Sequence, residues 1–169
     1  MWHAERKYRI TASSVGQICR FTEKRDKKAF AQGLIDPKPL NKPPIIWGKS
    51  KEVMAKDAYQ QKTGNNIQQC GLFVSIKEPY LASSPDGLIA QTTVLEVKCP
   101  WSIRNSTISP ENYKHIQYVK NDGSVRLKKS SPYYYQVQTQ LFTPGRDFCD
   151  FFIWTTCDNL LLLWIKMSI

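Results

Sequence analysis

Three side chains set out the chemistry this chain could do. Asp86 lies in Ser84-Pro85-Asp86-Gly87, and ten residues further on Glu96 and Lys98 lie in Leu95-Glu96-Val97-Lys98-Cys99-Pro100. Pro85-Asp86-Gly87 reads as a turn, because Pro presets φ and Gly accepts positive φ. Leu88-Ile89-Ala90 is a short apolar run, Gln91-Thr92-Thr93 a polar connection, and Val94 to Cys99 a β-rich run. A hairpin path of that length returns the second run to the neighbourhood of Asp86. Period-2 alternation then sends Leu95, Val97 and Cys99 to one face and Glu96 and Lys98 to the other. Two carboxylates held close together repel unless a cation sits between them. Hard oxygen ligands of this kind suit Mg²⁺ or Mn²⁺, and a lysine beside them can polarise a water or a phosphate oxygen. Taken singly, Asp86 is an ordinary turn residue and Glu96 with Lys98 an ordinary ion pair on a hairpin face. Only the ordered combination points to metal-assisted chemistry at phosphate.

Other elements must position this trio. Thr11 or Ser13 can cap a helix running through Val15 and Ile18 to about Arg20. With Arg6 and Arg9 just upstream, that helix end could hold a phosphate; a plain cap with solvated arginines explains the same residues. Residues 20–44 are basic and then Pro-rich, which predicts a short helix around Lys27–Leu34 and an extended connection from Pro37 to Pro44. A second helix is expected from about Ile46 to Lys62, stopped by Gly64. Glu52, Ala55, Lys56 and Tyr59 share one of its faces, so the role of Glu52 depends on whether that face meets Asp86 and Glu96. Strand signals follow at Gly71–Ile76 and Tyr80–Ser83. A hairpin with basic ends is expected over residues 113–129, turning at Asn121-Asp122-Gly123. Pro132 opens a helix through Phe142 that carries Gln136, Gln138 and Gln140. Two strands, about Cys149–Thr155 and Leu160–Lys166, close the chain. The order predicts an α/β or mixed α+β layout without repeats.

The 169 residues fit one domain, 1–169, long enough to bury roughly 70% of the unfolded surface. Eight Tyr, seven Phe and five Trp within 41% hydrophobic content argue for a packed core and against disorder. A net charge of +10 favours a polyanionic partner, nucleic acid ahead of an anionic membrane. Five scattered cysteines without a C-x-x-C pair speak against a disulfide framework or a zinc ribbon and for reduced thiols. No secretory pattern opens the chain, and the longest apolar run, Leu160 to Ile165, is too short to span a bilayer. The expectation is a soluble intracellular domain.

In family order, the segments Trp2-His3 through Arg6 to Ile10-Thr11-Ala12-Ser13, Trp47-Gly48-Lys49 with Glu52, Ser84-Pro85-Asp86-Gly87, Leu95-Glu96-Val97-Lys98-Cys99-Pro100 and Tyr133 with Gln136-Val137-Gln138 resemble the lambda exonuclease / YqaJ viral recombinase family of the PD-(D/E)XK nuclease superfamily. The resemblance spans nearly the whole chain. It implies a restriction-endonuclease-like three-layer core, with a central mixed sheet flanked by helices. It also implies Mg²⁺-dependent 5′→3′ exonuclease activity on double-stranded DNA, with Mn²⁺ as a substitute.

By position, the same resemblance makes Asp86 and Glu96 metal ligands helped by the Val97 carbonyl, with Glu52 near the metal. Lys98 would activate or orient the attacking water and Gln136 would stand near the nucleophile. Arg6, Ser13, Ser84 and Arg104 would form a pocket for the 5′-terminal phosphate. Implied partners are DNA with a 5′-phosphate end and a single-strand annealing protein, with no membrane. Family exonucleases continue past the last strand into C-terminal helices, while this chain stops at Ile169, so trimer and monomer both stay open. Two other readings compete: an endonuclease or a single-strand- or RNA-preferring nuclease of the same fold, and a non-catalytic nucleic-acid-binding domain supported by charge alone.

Overall fold

The computed structural model describes residues 5–6, 8–35 and 41–166. Its frame is a four-stranded mixed sheet of β4 (Gly87–Ile89), β5 (Thr93–Lys98), β8 (Phe148–Trp154) and β9 (Asn159–Ile165), in the order β4-β5-β8-β9. The outer pairs are antiparallel and the central pair, β5 with β8, is parallel with Glu96 opposite Phe151. A parallel pair needs a crossover. Here the chain makes it through the β6–β7 hairpin (Ile116–Tyr118 and Val125–Leu127) and helix α4 (Pro132–Phe142).

Alternation along β5 and β8 feeds two cores. Val94, Cys149, Phe151 and Ile153 pack with Val137 and Leu141 of α4, while Leu95, Val97 and Phe152 pack with Ala55 and Tyr59 of α3 (Pro43–Thr63). The central sheet thus lies between α3 on one face and α4 on the other. This is the expected three-layer, mixed α/β core. A smaller sheet, β1 (Ile10–Thr11), β3 (Leu81–Ser83) and β2 (Phe73–Val74), leads directly into Ser84-Pro85-Asp86. Among the described residues no helix is long and apolar enough to cross a membrane.

Local signals explain the start of α4 and the end of α3. Ser131 caps α4 by accepting a hydrogen bond from the Tyr133 N–H at 3.2 Å, and Pro132 occupies its first turn. Gly64 ends α3 in the left-handed region at φ 72°, its N–H donating to the Gln60 carbonyl at 2.8 Å. Two expectations need correction. Helix α3 begins at Pro43, before Ile46, because Pro43 and Pro44 fall in its first turn, where a missing N–H costs nothing. Strand β2 spans only Phe73–Val74 of the expected Gly71–Ile76, its ladder being limited to the short β3. Of the Pro-rich connection, residues 36–40 lie outside the described part.

Helix α1 (Ala12–Ile18), followed by α2 (Lys27–Ile35), rests on the start of α4 through Gly16, where an added Cβ would stand 3.1 Å from the Pro132 carbonyl oxygen and 3.2 Å from its Cα. Both neighbours are backbone and cannot swing away. Gly16→Ala therefore sets an overpacking cost of roughly 1–3 kcal/mol against a helix-propensity gain of at most about 1 kcal/mol. The expected outcome is a net loss of roughly 1 kcal/mol in urea unfolding; an unchanged midpoint would show that α1 can back away from α4.

Candidate active site

The end of β5 opens into a cavity of about 310 Å³ whose lining includes Glu52, Asp86, Glu96, Val97, Lys98 and Tyr133. The hairpin brings Asp86, Glu96 and Lys98 to one place, and α3 adds Glu52 to the same lining, which spacing had left open. Asp86 is placed by backbone: its N–H donates to the Leu95 carbonyl at 2.9 Å, and its Oδ2 accepts from the Val97 N–H at 2.7 Å. The expected turn at Pro85-Asp86-Gly87 needs correction: Gly87 is the first residue of β4 and has no positive φ, and what its missing side chain provides is room for Ile67 Cγ2, which an added Cβ would overlap.

Glu96, 3% exposed, holds the densest set of donors. Lys98 Nζ bonds its Oε1, Gln136 Nε2 donates to the same oxygen at 2.6 Å, and Gln140 Nε2 donates to Oε2 at 2.5 Å. Lys98 in turn donates to Gln136 Oε1 at 3.2 Å and lies 4.7 Å from the centre of the Tyr133 ring, a cation–π contact. Gln136, on α4, is therefore tied to both the acid and the lysine.

The electrostatics separate the roles. Burial, and then the neighbouring Glu96 charge, push Asp86 up to about 8. Burial alone would lower the Lys98 ammonium, but Glu96, Tyr133 and Asp86 outweigh it and raise Lys98 above its ordinary value. Lys98 is thus a fixed positive charge and a hydrogen-bond donor, and it has no free lone pair for taking up a proton. Cys99, which also lines the cavity, is pushed up to about 12 by burial and then by Glu52 and Asp86, so it is a poor nucleophile.

A half-buried Asp86 pushed up beside the buried Glu96 carboxylate forms a natural seat for a cation, and the donor set of Asp86, Glu96 and the nearby Val97 backbone is all oxygen, which fits Mg²⁺ or Mn²⁺. Glu52 fits less directly. It lines the same cavity, but Lys56 Nζ holds its Oε1 at 2.6 Å. Among the described residues no three His, Cys, Asp or Glu side chains close into a metal-holding group.

The residues expected to bind a terminal phosphate come from four separate segments of the chain. Ser13 is exposed, its Oγ 3.1 Å from Thr11 Oγ1, and Ser84 Oγ makes a long 3.4 Å bond to the Gly71 carbonyl. Arg104 stacks on Trp101 at 3.7 Å and donates to the Trp101 carbonyl at 2.9 Å. Arg6 is half-buried, and that burial lowers its pKa. Trp2 and His3 lie outside the described residues.

Two contributors escaped the sequence reading. Tyr133 belonged to a segment of the family resemblance but was given no role, and its ring under Lys98 is a product of packing. Gln140 had a signal: it stands four residues after Gln136, on the same helix face.

A mixed three-layer α/β core with two acids and a lysine at one strand end is the class of protein that this geometry defines. The chain belongs to the YqaJ-like viral recombinase domain family, whose model matches residues 1–147. Among solved structures it is similar to an alkaline exonuclease, LHK-Exo, from Laribacter hongkongensis: TM-score 0.74, 24% identity, covering 98% of this chain and 81% of that one. The same exonuclease in complex with dAMP matches with the same TM-score and identity. A phage-related exonuclease from Haemophilus somnus 129PT aligns with TM-score 0.65 and 12% identity over 94% of this chain and 85% of that one. At these identities the likeness is one of fold. No curated protein sequence matches the chain.

Proposed function

We propose that the chain is a Mg²⁺-dependent 5′→3′ exonuclease on double-stranded DNA. The observation that carries this reading is the convergence of Asp86, Glu96 and Lys98 on one cavity, with Glu96 anchored by Gln136 and Asp86 pushed up beside it. Family membership and the exonuclease folds it resembles support the same substrate class. In this reading Asp86, Glu96 and the Val97 carbonyl hold the cation, with Glu52 beside it. The cation supplies Lewis acidity to a phosphoryl oxygen and acidifies water.

The chain's own residues do the rest. Lys98, held protonated, offers positive charge to the scissile phosphate and orients the attacking water. Gln136 fixes Lys98 and Glu96 relative to each other through both ends of its amide. The Tyr133 face shields the ammonium on one side. The net charge of +10 supports duplex binding through phosphate contacts. Arg6, Ser13, Ser84 and Arg104 are assigned to the 5′-phosphate end, where a charge clamp sets the register of cutting. For that, Arg104 must leave or share its place on Trp101.

Digestion of end-labelled duplexes with and without Mg²⁺, comparing 5′-phosphate, 5′-hydroxyl, circular and single-stranded substrates, tests metal need, end dependence and polarity together. Mg²⁺-dependent release from 5′-phosphorylated linear duplex is expected; cutting of circles at an equal rate would replace this reading with an endonuclease. Arg104→Ala should erase much of the preference for phosphorylated ends, worth roughly 1.5–3 kcal/mol for a charged hydrogen bond. An unchanged ratio between the two ends would remove Arg104 from the pocket.

A further inference from the structure

We propose that Gln140 is a positioning residue for Glu96, and that it sets how tightly the cavity holds a divalent cation; this rests on the reading of the cavity as a metal site. Gln140 is 1% exposed, and its Nε2 donates to Glu96 Oε2 at 2.5 Å. Gln136 and Lys98 occupy the other oxygen, Oε1. Without Gln140 the carboxylate would be held at one oxygen alone and could rotate about its terminal torsion, which is broad. With it, both oxygens are held and the carboxylate plane is fixed, so the remaining lone pair, on Oε2, keeps one direction.

The opposite end of the same amide gives independent support. Among the described residues Gln140 Oε1 is buried with no hydrogen-bond partner. A buried unpaired carbonyl is costly. Turning the amide over would not relieve that cost, since it would set the carbonyl oxygen against the Glu96 carboxylate. The orientation is therefore dictated by the charge on Glu96, and the strain falls on the amide, away from the acid. An amide that only filled space would not be expected to leave one end unpaired. Because Gln140 lies on α4 one turn beyond Gln136, it also couples the placement of Glu96 to the seating of that helix.

The experiment is calorimetric titration of Mn²⁺ onto the metal-free full chain, alongside Gln140→Met and Gln140→Asn, with circular dichroism and thermal unfolding of each metal-free protein. Met keeps the volume and lacks the donor; Asn keeps the donor and falls one methylene short. The parent is expected to bind Mn²⁺, and both variants to bind about 10–100-fold more weakly, the usual effect of losing a group that orients a ligand. Variants that bind as tightly as the parent overturn the proposal and leave the metal site standing, with Gln140 reduced to packing. A parent that takes up no Mn²⁺ removes the metal reading itself, and the proposal with it. A purely structural role would lower the melting temperature and leave the dissociation constant of the folded protein in place.

Discussion

Lys98→Ala is expected to lower the rate of duplex cleavage by about 10²–10³-fold, the range for losing one preorganised charged donor at a reacting centre, while low-salt binding to the same duplex persists. Several observations converge on this change. Lys98 is the cation bonded to Glu96 and Gln136 and backed by Tyr133. Burial works against its charge, yet the surrounding negative groups raise it above its ordinary value, so the protein holds that charge in place at a cost. Removing it leaves Glu96 with its two glutamine donors and no neutralising partner. A variant that still cuts at the parental rate would show that the lysine is structural. Added methylammonium gives a sharper form of the test: partial recovery of the rate is expected if charge at that position is what matters.

Asp86→Asn should abolish cutting and, in the metal-free protein, should raise stability at neutral and higher pH. The sign follows from proton counting. Asp86 is pushed from 3.8 in the unfolded chain to about 8 in the fold. Between those values the native state binds more protons than the unfolded state, so this residue makes stability fall as pH rises from about 4 to about 8, and the penalty is complete above 8. Asparagine has no proton to lose and keeps an oxygen for the Val97 N–H. Thermal unfolding of parent and variant in chelator at pH 5 and pH 8.5 checks this. The two melting temperatures should diverge in favour of the variant at the higher pH, each 1 kcal/mol appearing as about 2–4 °C at this chain length. Adding Mg²⁺ should reverse the order, since only the parent then gains a neutralising cation. Parallel pH profiles would mean that Asp86 is ionised without help, and that the pair does not need a metal.

The two acids also show how a site can be unstable by design. Asp86 beside Glu96 costs the metal-free fold stability, and the hairpin that holds them is kept in place by apolar packing on both faces, Leu95 and Val97 on α3 and Val94 on the α4 side. The Tyr59 hydroxyl, bonded to buried Asp150 on β8, pins α3 to the same sheet. Glu52 lies two turns before Tyr59 on that helix and lines the cavity.

What could be read from sequence follows from the range of the forces involved. The alternation along β5, the start of α4 at Pro132 and the stop of α3 at Gly64 are all decided by a residue and its near neighbours, so residue type suffices. That is why Asp86, Glu96 and Lys98 could be placed together before any fold was known: a short hairpin leaves few ways to arrange them. Family resemblance extended the list to Glu52 and Gln136. Tertiary structure alone decided the rest. The parallel pairing of β5 with β8 joins residues some fifty positions apart, and that pairing, with α4 laid over one face, is what carries Gln136 and Gln140 to Glu96. The same packing slides the Tyr133 ring under Lys98 and puts Glu52 at the cavity in an ion pair with Lys56. Such contacts depend on how whole faces bury against each other, and burial is set by the sum of many apolar contacts that no local spacing records. The proposed chemistry starts from three residues on one short hairpin; the aim of those residues came only from the layers packed around them.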